Sequence, residues 1–120
     1  EDEEDPEKGL SNDTLGEIVN PTEMRSGIVE KAFAQAVPNP FNESVRIQFG
    51  LPTSGNVSID VYDVAGRHVA SVLSEDKGAG THEAIWNGTN SRGSRVPTGV
   101  YFYRLSLGNE TLLKKMIMIN

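Results

Sequence analysis

From Val45 onward the chain alternates apolar and polar residues with a period of two, and Gly, Pro and Asn interrupt the pattern about every ten residues. Val45, Ile47, Phe49 and Leu51 alternate with Ser44, Arg46, Gln48 and Gly50, which predicts a strand with one buried face. Pro52 and Gly55 turn the chain, and Val57, Ile59 and Val61 against Ser58, Asp60 and Tyr62 form a second strand. Ala65-Gly66 falls where a tight hairpin needs a residue tolerant of positive φ. A third strand is expected from Arg67 to about Ser74. After Lys77-Gly78-Ala79-Gly80, a fourth covers Thr81 to Asn87, with His82, Ala84 and Trp86 on one side. The strongest segment is Val100 to Leu107, whose Tyr101, Tyr103, Leu105 and Leu107 share a face. Gly108-Asn109 then turns into a closing strand, Thr111 to Ile119.

Strands at this spacing, with no amphipathic helix between them, predict an all-β fold: an antiparallel immunoglobulin-like β-sandwich of about seven strands. Its core is expected to centre on Trp86, Tyr101, Tyr103, Phe49 and the aliphatic strand faces. Residues 1–32 lack this periodicity. Their apolar residues are scattered and Pro6 and Pro21 interrupt them, so they read as a largely irregular linker with one short helix near Met24 to Lys31. The domain division is therefore 1–32, acidic linker, and 33–120, sandwich.

Charge sharpens that division. The 120 residues carry a formal net charge of -6, yet residues 1–32 hold ten acids and three bases, whereas 33–120 hold seven acids and eight bases. The acidity belongs to the leader and the sandwich is close to neutral. Neither part has the basic surface of a nucleic-acid binder. No apolar run approaches the roughly 20 residues of a membrane-spanning helix. The chain opens on Glu1-Asp2-Glu3-Glu4-Asp5, unlike a signal peptide, and has no initiating Met. A processed or partial chain, with an export signal upstream, is the expectation.

Chemistry is sparse. Without cysteine there is no disulfide, thiolate site or Cys nucleophile. His68 and His82 stand apart, neither at metal-ligand spacing from another histidine, so no metal and no cofactor are expected. No G-x-S-x-G elbow occurs. Asp60 and Asp63, three apart in a strand, would point to opposite faces and could not work as a pair. Gly78 and Gly80 precede no helix and cradle no phosphate. Arg92 and Arg95 read as solvated loop residues. Asn-x-Ser/Thr sequons begin at Asn12, Asn42, Asn56, Asn87 and Asn109, in segments where these residue types are also favoured by turns. The chain reads as a non-enzyme.

Two segments exceed what a generic sandwich needs. Pro38-Asn39-Pro40-Phe41-Asn42 restricts the backbone on both sides of Asn39 and ends in an aromatic suited to plugging one end of the sandwich. Lys114-Lys115-Met116-Ile117-Met118-Ile119 ends the sequence inside its last strand, where most domains carry frayed polar residues.

Taken in order, these segments with Val64-Ala65-Gly66-Arg67, Gly80-Thr81-His82, Trp86-Asn87-Gly88 and Pro97-Thr98-Gly99-Val100-Tyr101 resemble the C-terminal sorting domains of the type IX secretion system. The pattern is shared with immunoglobulin-like domains related to the flagellar hook-capping protein. The resemblance covers about residues 33–120, and Glu43 stands where the family often has another proline. It implies a β-sandwich at the end of a larger exported bacterial protein, without catalysis of its own. Implied partners are the outer-membrane secretion machinery, a sortase-like surface-attachment enzyme and an upstream passenger in cis. The family's terminal signal maps onto Lys114, Lys115 and the apolar tail, its Gly-x-Tyr element onto Gly99 and Tyr101, and the linker in which cleavage falls onto the acidic leader. A terminal strand at a sheet edge would offer the receptor unpaired backbone groups, and the two lysines a positive end. Alternative readings are an accessory spacer or carbohydrate- or protein-binding module, with Tyr62 and Phe102 as the candidate platform, or a subunit of an extracellular assembly.

Overall fold

The computed structural model describes residues 29–120. Seven strands follow one another: β1 (Phe33–Val37), β2 (Val45–Leu51), β3 (Gly55–Tyr62), β4 (His68–Lys77), β5 (Gly80–Trp86), β6 (Gly99–Leu107) and β7 (Glu110–Met118). They form a three-stranded sheet, β1-β2-β5, and a four-stranded sheet, β4-β3-β6-β7, with every strand pair antiparallel. This is the all-β sandwich the alternation predicts.

The period-2 residues face one another between the sheets. Val45, Ile47, Phe49 and Leu51 of β2, Val57, Ile59 and Val61 of β3, and Tyr101, Tyr103 and Leu105 of β6 are all buried. One end is closed by a chain of aromatic rings. Phe41 meets Trp86 edge-on at 5.8 Å and Trp86 meets Tyr101 at 5.5 Å, and Phe41 is the plug expected of it. The polar ends of these rings are satisfied by backbone carbonyls, since Trp86 Nε1 donates to Thr89 O (2.8 Å) and Tyr101 Oη to Pro97 O (2.5 Å). The second bond is the tyrosine-corner device by which sandwiches pin a strand start to the preceding loop.

Three local expectations are revised. The apolar pattern of the third predicted strand fades after Leu73, but β4 continues to Lys77 because its backbone pairs along the whole of β3, with Asn56 Nδ2 donating to Asp76 Oδ1 (3.2 Å). Asp63 lies beyond the end of β3 and organises the hairpin turn. Its Oδ1 accepts from the N–H groups of Ala65 and Arg67, both at 2.9 Å, and its Oδ2 from Arg67 Nε at 2.9 Å. The Arg67 backbone donor foremost, then that guanidinium, holds the Asp63 carboxyl below the usual carboxylate range. Gly66 supplies the positive φ of 83° on which the turn closes. Finally, residues 29–31 are not helical, and the rest of the expected helix near Met24 to Lys31 lies outside the described residues. Val29 and Ala32 are buried, so apolar packing begins ahead of β1.

β1 was not among the strands the pattern located. Its Phe33 stands opposite Gly50 and lays its ring where a Cβ on Gly50 would sit. A glycine that interrupts the alternation of β2 thus makes room for the neighbouring strand's aromatic.

Two outcomes follow from this core. Trp86→Ala should lower unfolding stability by about 3–5 kcal/mol in a denaturant melt, because it removes the ring joining Phe41 to Tyr101. Burial pushes the Tyr103 hydroxyl up to about 12 from its usual 10.0. Below pH 10 both folded and unfolded chains keep this proton; between pH 10 and 12 only the folded chain does, so about 3 kcal/mol of stability is lost across that window. Denaturation followed from pH 9 to 12 should show this decline, and Tyr103→Phe should flatten it.

Candidate functional site

β7 is an edge strand, and its pleat divides the tail into two sets. Met116 and Met118 point inward and are 0% and 2% exposed, so in the folded domain their side chains belong to the core. Lys115 stands on the outer face of the four-stranded sheet, opposite Phe102, and Leu113 stands there opposite Arg104. Lys114 has the inward parity of Leu112 and Met116 yet is exposed. The two lysines are therefore not one positive end; they flank the strand on opposite faces. Ile117 is half-buried and Ile119 is exposed.

The edge is also less free than a terminal strand's position suggests. After β1 the chain leaves the three-stranded sheet at Pro38 and crosses to the other one. Asn39 imitates a strand residue with its side chain: Nδ2 donates to Lys115 O (3.3 Å) and Oδ1 accepts from Ile117 N–H (3.0 Å). Phe41 continues with its backbone, donating to Ile117 O (2.9 Å) and accepting from Ile119 N–H (2.7 Å), in a parallel bridge to Met118. The Pro38–Asn42 motif is thus a strap over the far half of the β7 edge. Pro38, Asn39, Pro40 and Asn42 are exposed while Phe41 is buried.

Arg95, which the sequence reading leaves in solvent, locks this strap. Its Nη1 donates to Glu43 O (3.0 Å) and Asn87 O (2.8 Å), and its Nη2 to Asn42 O, tying the strap to the loop after Trp86. Gly88 gives the guanidinium its place: its φ is 77°, and a Cβ there would lie 2.9 Å from Arg95 Nη1 and 3.3 Å from Met118 Cε. Nothing in residue type alone distinguishes Arg95 from Arg92; the Asn-Gly pair seven positions before it is the available signal. The remaining motif positions are architectural. Gly66 forms its turn, Gly80 opens β5 and Gly99 opens β6.

One constellation resembles catalytic machinery. Asp60, His68 and Ser71 meet on the outer face, with Ser71 Oγ donating to Asp60 Oδ1 (2.9 Å) and His68 Nε2 lying 3.0 Å from that oxygen and 3.3 Å from Ser71 Oγ. Asp60 and Ser71 both address the same ring nitrogen. A relay needs serine at one nitrogen and carboxylate at the other, so this imidazole cannot pass a proton between them. The cluster ties β3 to β4 instead. His82 is spoken for as well, donating from Nε2 to Gly78 O (2.7 Å) and stacking near Phe49. The Tyr62–Phe102 platform is real as a cross-strand pair, but Arg104 lies over the Tyr62 ring at 4.9 Å and His68 meets it edge-on. Among the described residues no group of His, Cys, Asp or Glu is placed to hold a metal ion, and no helix is long and apolar enough to cross a membrane.

The two antiparallel sheets, closed at one end by the strap, form a sandwich of immunoglobulin-like fold. The chain belongs to the secretion system C-terminal sorting domain family, whose sequence model matches residues 35–120. Among solved structures it is similar to dimeric latent PorU from Porphyromonas gingivalis, with 27% identity and a TM-score of 0.61 over 73% of this chain and 9% of PorU. It shares its fold with FlgD from Xanthomonas campestris (20% identity, TM-score 0.51, 72% of this chain and 60% of that one) and from P. aeruginosa (22%, 0.51, 78% and 77%). No curated protein matches the chain significantly. A domain of this family marks a type IX cargo that is secreted or held at the cell surface.

The strap is open to a direct test. Asn39→Ala should speed amide exchange at Ile117 while leaving the central amide of Ile59 protected, and should cost about 1–2 kcal/mol for the two bonds lost. Unchanged exchange at Ile117 would show that the Asn39 side chain does not hold the edge.

Proposed function

We propose that this chain is a non-enzymatic sorting and surface-targeting module in which β7 is the element read by the secretion machinery. The family match over residues 35–120 carries the reading. The exposure of Lys114 and Lys115 on an edge strand, beside Met116 and Met118 committed to the core, supports them as contact residues, with Ile117 and Ile119 as their apolar neighbours. Met116 and Met118 act differently: they hold the strand in register so that the lysines project. Pro38 to Asn42, Gly66, Gly80, Trp86, Gly99 and Tyr101 maintain the sandwich that presents it. Residues 1–32 serve as the acidic connector to a passenger in cis and as the segment where cleavage separates the two, and a sortase-like enzyme attaches the passenger at the surface.

Fusion of residues 1–120 behind a passenger should direct export in a host with type IX machinery. Deleting residues 114–120 would abolish export but also strip Met116 and Met118 from the core, so the decisive variant is the double change Lys114→Glu, Lys115→Glu. It should retain the wild-type melting transition and leave the passenger in the periplasm. Undiminished export by that folded variant would remove the lysines from recognition.

A further inference from the structure

The backbone of β7 separates its outer edge into a closed and an open stretch. The strap occupies the C=O of Lys115, the N–H and C=O of Ile117 and the N–H of Ile119. In an antiparallel strand alternate residues direct N–H and C=O to the same side, so Thr111 and Leu113 direct theirs to this free edge too. β7 is the last strand of its sheet, and among the described residues no strand pairs with that stretch. Leu113, at its centre, is 63% exposed, an unusual exposure for a leucine within a strand.

The charges around this open stretch have a polarity. Glu110 stands at its start, and Lys114 and Lys115 at its end. Because successive residues project to opposite faces, a strand laid alongside would meet one ammonium on each face. Arg104 stands opposite Leu113 on the outer face, but its guanidinium lies over the Tyr62 ring of β3, on the side away from this edge. A second copy pairing antiparallel through the same edge would set each Glu110 near the other copy's lysines but leave one lysine of each copy without an acid, so a strand carrying two acids matches the edge more fully.

We propose that the open edge of Thr111 to Lys115 receives an extended segment of a partner protein by strand addition. That segment carries two adjacent acidic residues, one for each lysine, and an apolar residue beside Leu113. Main-chain bonds to Thr111 and Leu113 supply the attachment, and the lysine pair sets which strands are accepted. The proposal rests on β7 being the recognised element and names the chemistry of what recognises it.

The test titrates the isotope-labelled 120-residue chain with the synthetic peptide Thr-Val-Glu-Glu-Val-Thr, which reads acceptably in either strand direction, and with a control in which both Glu are Lys. The expected result is saturable shifts of the Thr111, Leu113 and Lys115 amides with the acidic peptide alone. Lys114→Glu and Lys115→Glu should each weaken binding about threefold or more. Leu113→Pro should abolish it, because it deletes an outward N–H that the domain's own ladder does not use; Leu113→Lys, checked with it by thermal melt, covers the case in which the proline variant fails to fold. Equal binding of the lysine peptide, or shifts centred elsewhere, would overturn the proposal. So would edge amides already protected in the free chain, or a sedimenting dimer lost in Leu113→Lys. Loss of export in the double lysine variant without any peptide binding would leave the sorting role standing and remove the acidic strand. Peptide binding with export indifferent to both Leu113 variants would remove the recognition role of β7 itself.

Discussion

The crossing of the chain from one sheet to the other at Asn39 is the constraint on which the rest of the molecule rests. β1 pairs with β2 in the three-stranded sheet, yet four residues later the backbone of Phe41 bonds to β7 in the four-stranded sheet. Asn39 bridges the gap with its side-chain amide, because the flanking prolines have no N–H to offer a ladder. The first strand of the sandwich is thereby fastened to the last across a sequence separation of 76 to 78 residues. Phe41, delivered by the same crossing, closes the end of the core against Trp86.

Several otherwise separate features serve this closure. Arg95 gathers the carbonyls of Asn42, Glu43 and Asn87, so the strap and the loop after β5 hold one another. Val96 N–H bonds to Gly88 O (3.0 Å), Trp86 Nε1–H to Thr89 O and Tyr101 Oη–H to Pro97 O, which fastens the same loop from below. Polar groups around the aromatic plug are met by backbone partners, as a low-dielectric interior requires. The result is a rigid end of the sandwich, and from that end β7 runs back toward an uncovered stretch of edge.

That arrangement puts core packing and solvent-exposed charge on a single strand. Met116 and Met118 anchor the tail, while Leu113, Lys114 and Lys115 stay in solvent. Natural sheets commonly guard an exposed edge with lysine, and in our proposal the same residues carry the charge a partner would read. A protective charge becomes a specificity element when the partner supplies acids in the matching register.

Much of this was legible from alternation alone. The faces of β2, β3 and β6, and the buried positions of Trp86, Tyr101 and Tyr103, follow from a period of two with one apolar side. Phe41 was legible as a plug because two prolines and an aromatic in five residues have little other use. β1 was not, since Phe-Ala-Gln-Ala-Val offers mostly small side chains and draws its order from the glycine opposite Phe33. The far end of β4 was hidden for a related reason: Glu75-Asp76-Lys77 has no apolar face, and only the ladder to β3 keeps it extended.

What the sequence by itself determined is the fold class, the concentration of negative charge in residues 1–32, and the order of motifs that places residues 35–120 in a sorting family. These are properties of local pattern and composition, which require no knowledge of what lies across the core. Only the tertiary structure decided that Asn39 is a surrogate strand residue, that Arg95 is a lock, that Asp60, His68 and Ser71 form a tie without a relay, and that the terminal strand is half covered. The tie depends on the register of β4 against β3, and the other three on which backbone groups a distant segment leaves unpaired; partners separated by 50 or more residues leave no mark in a one-dimensional pattern.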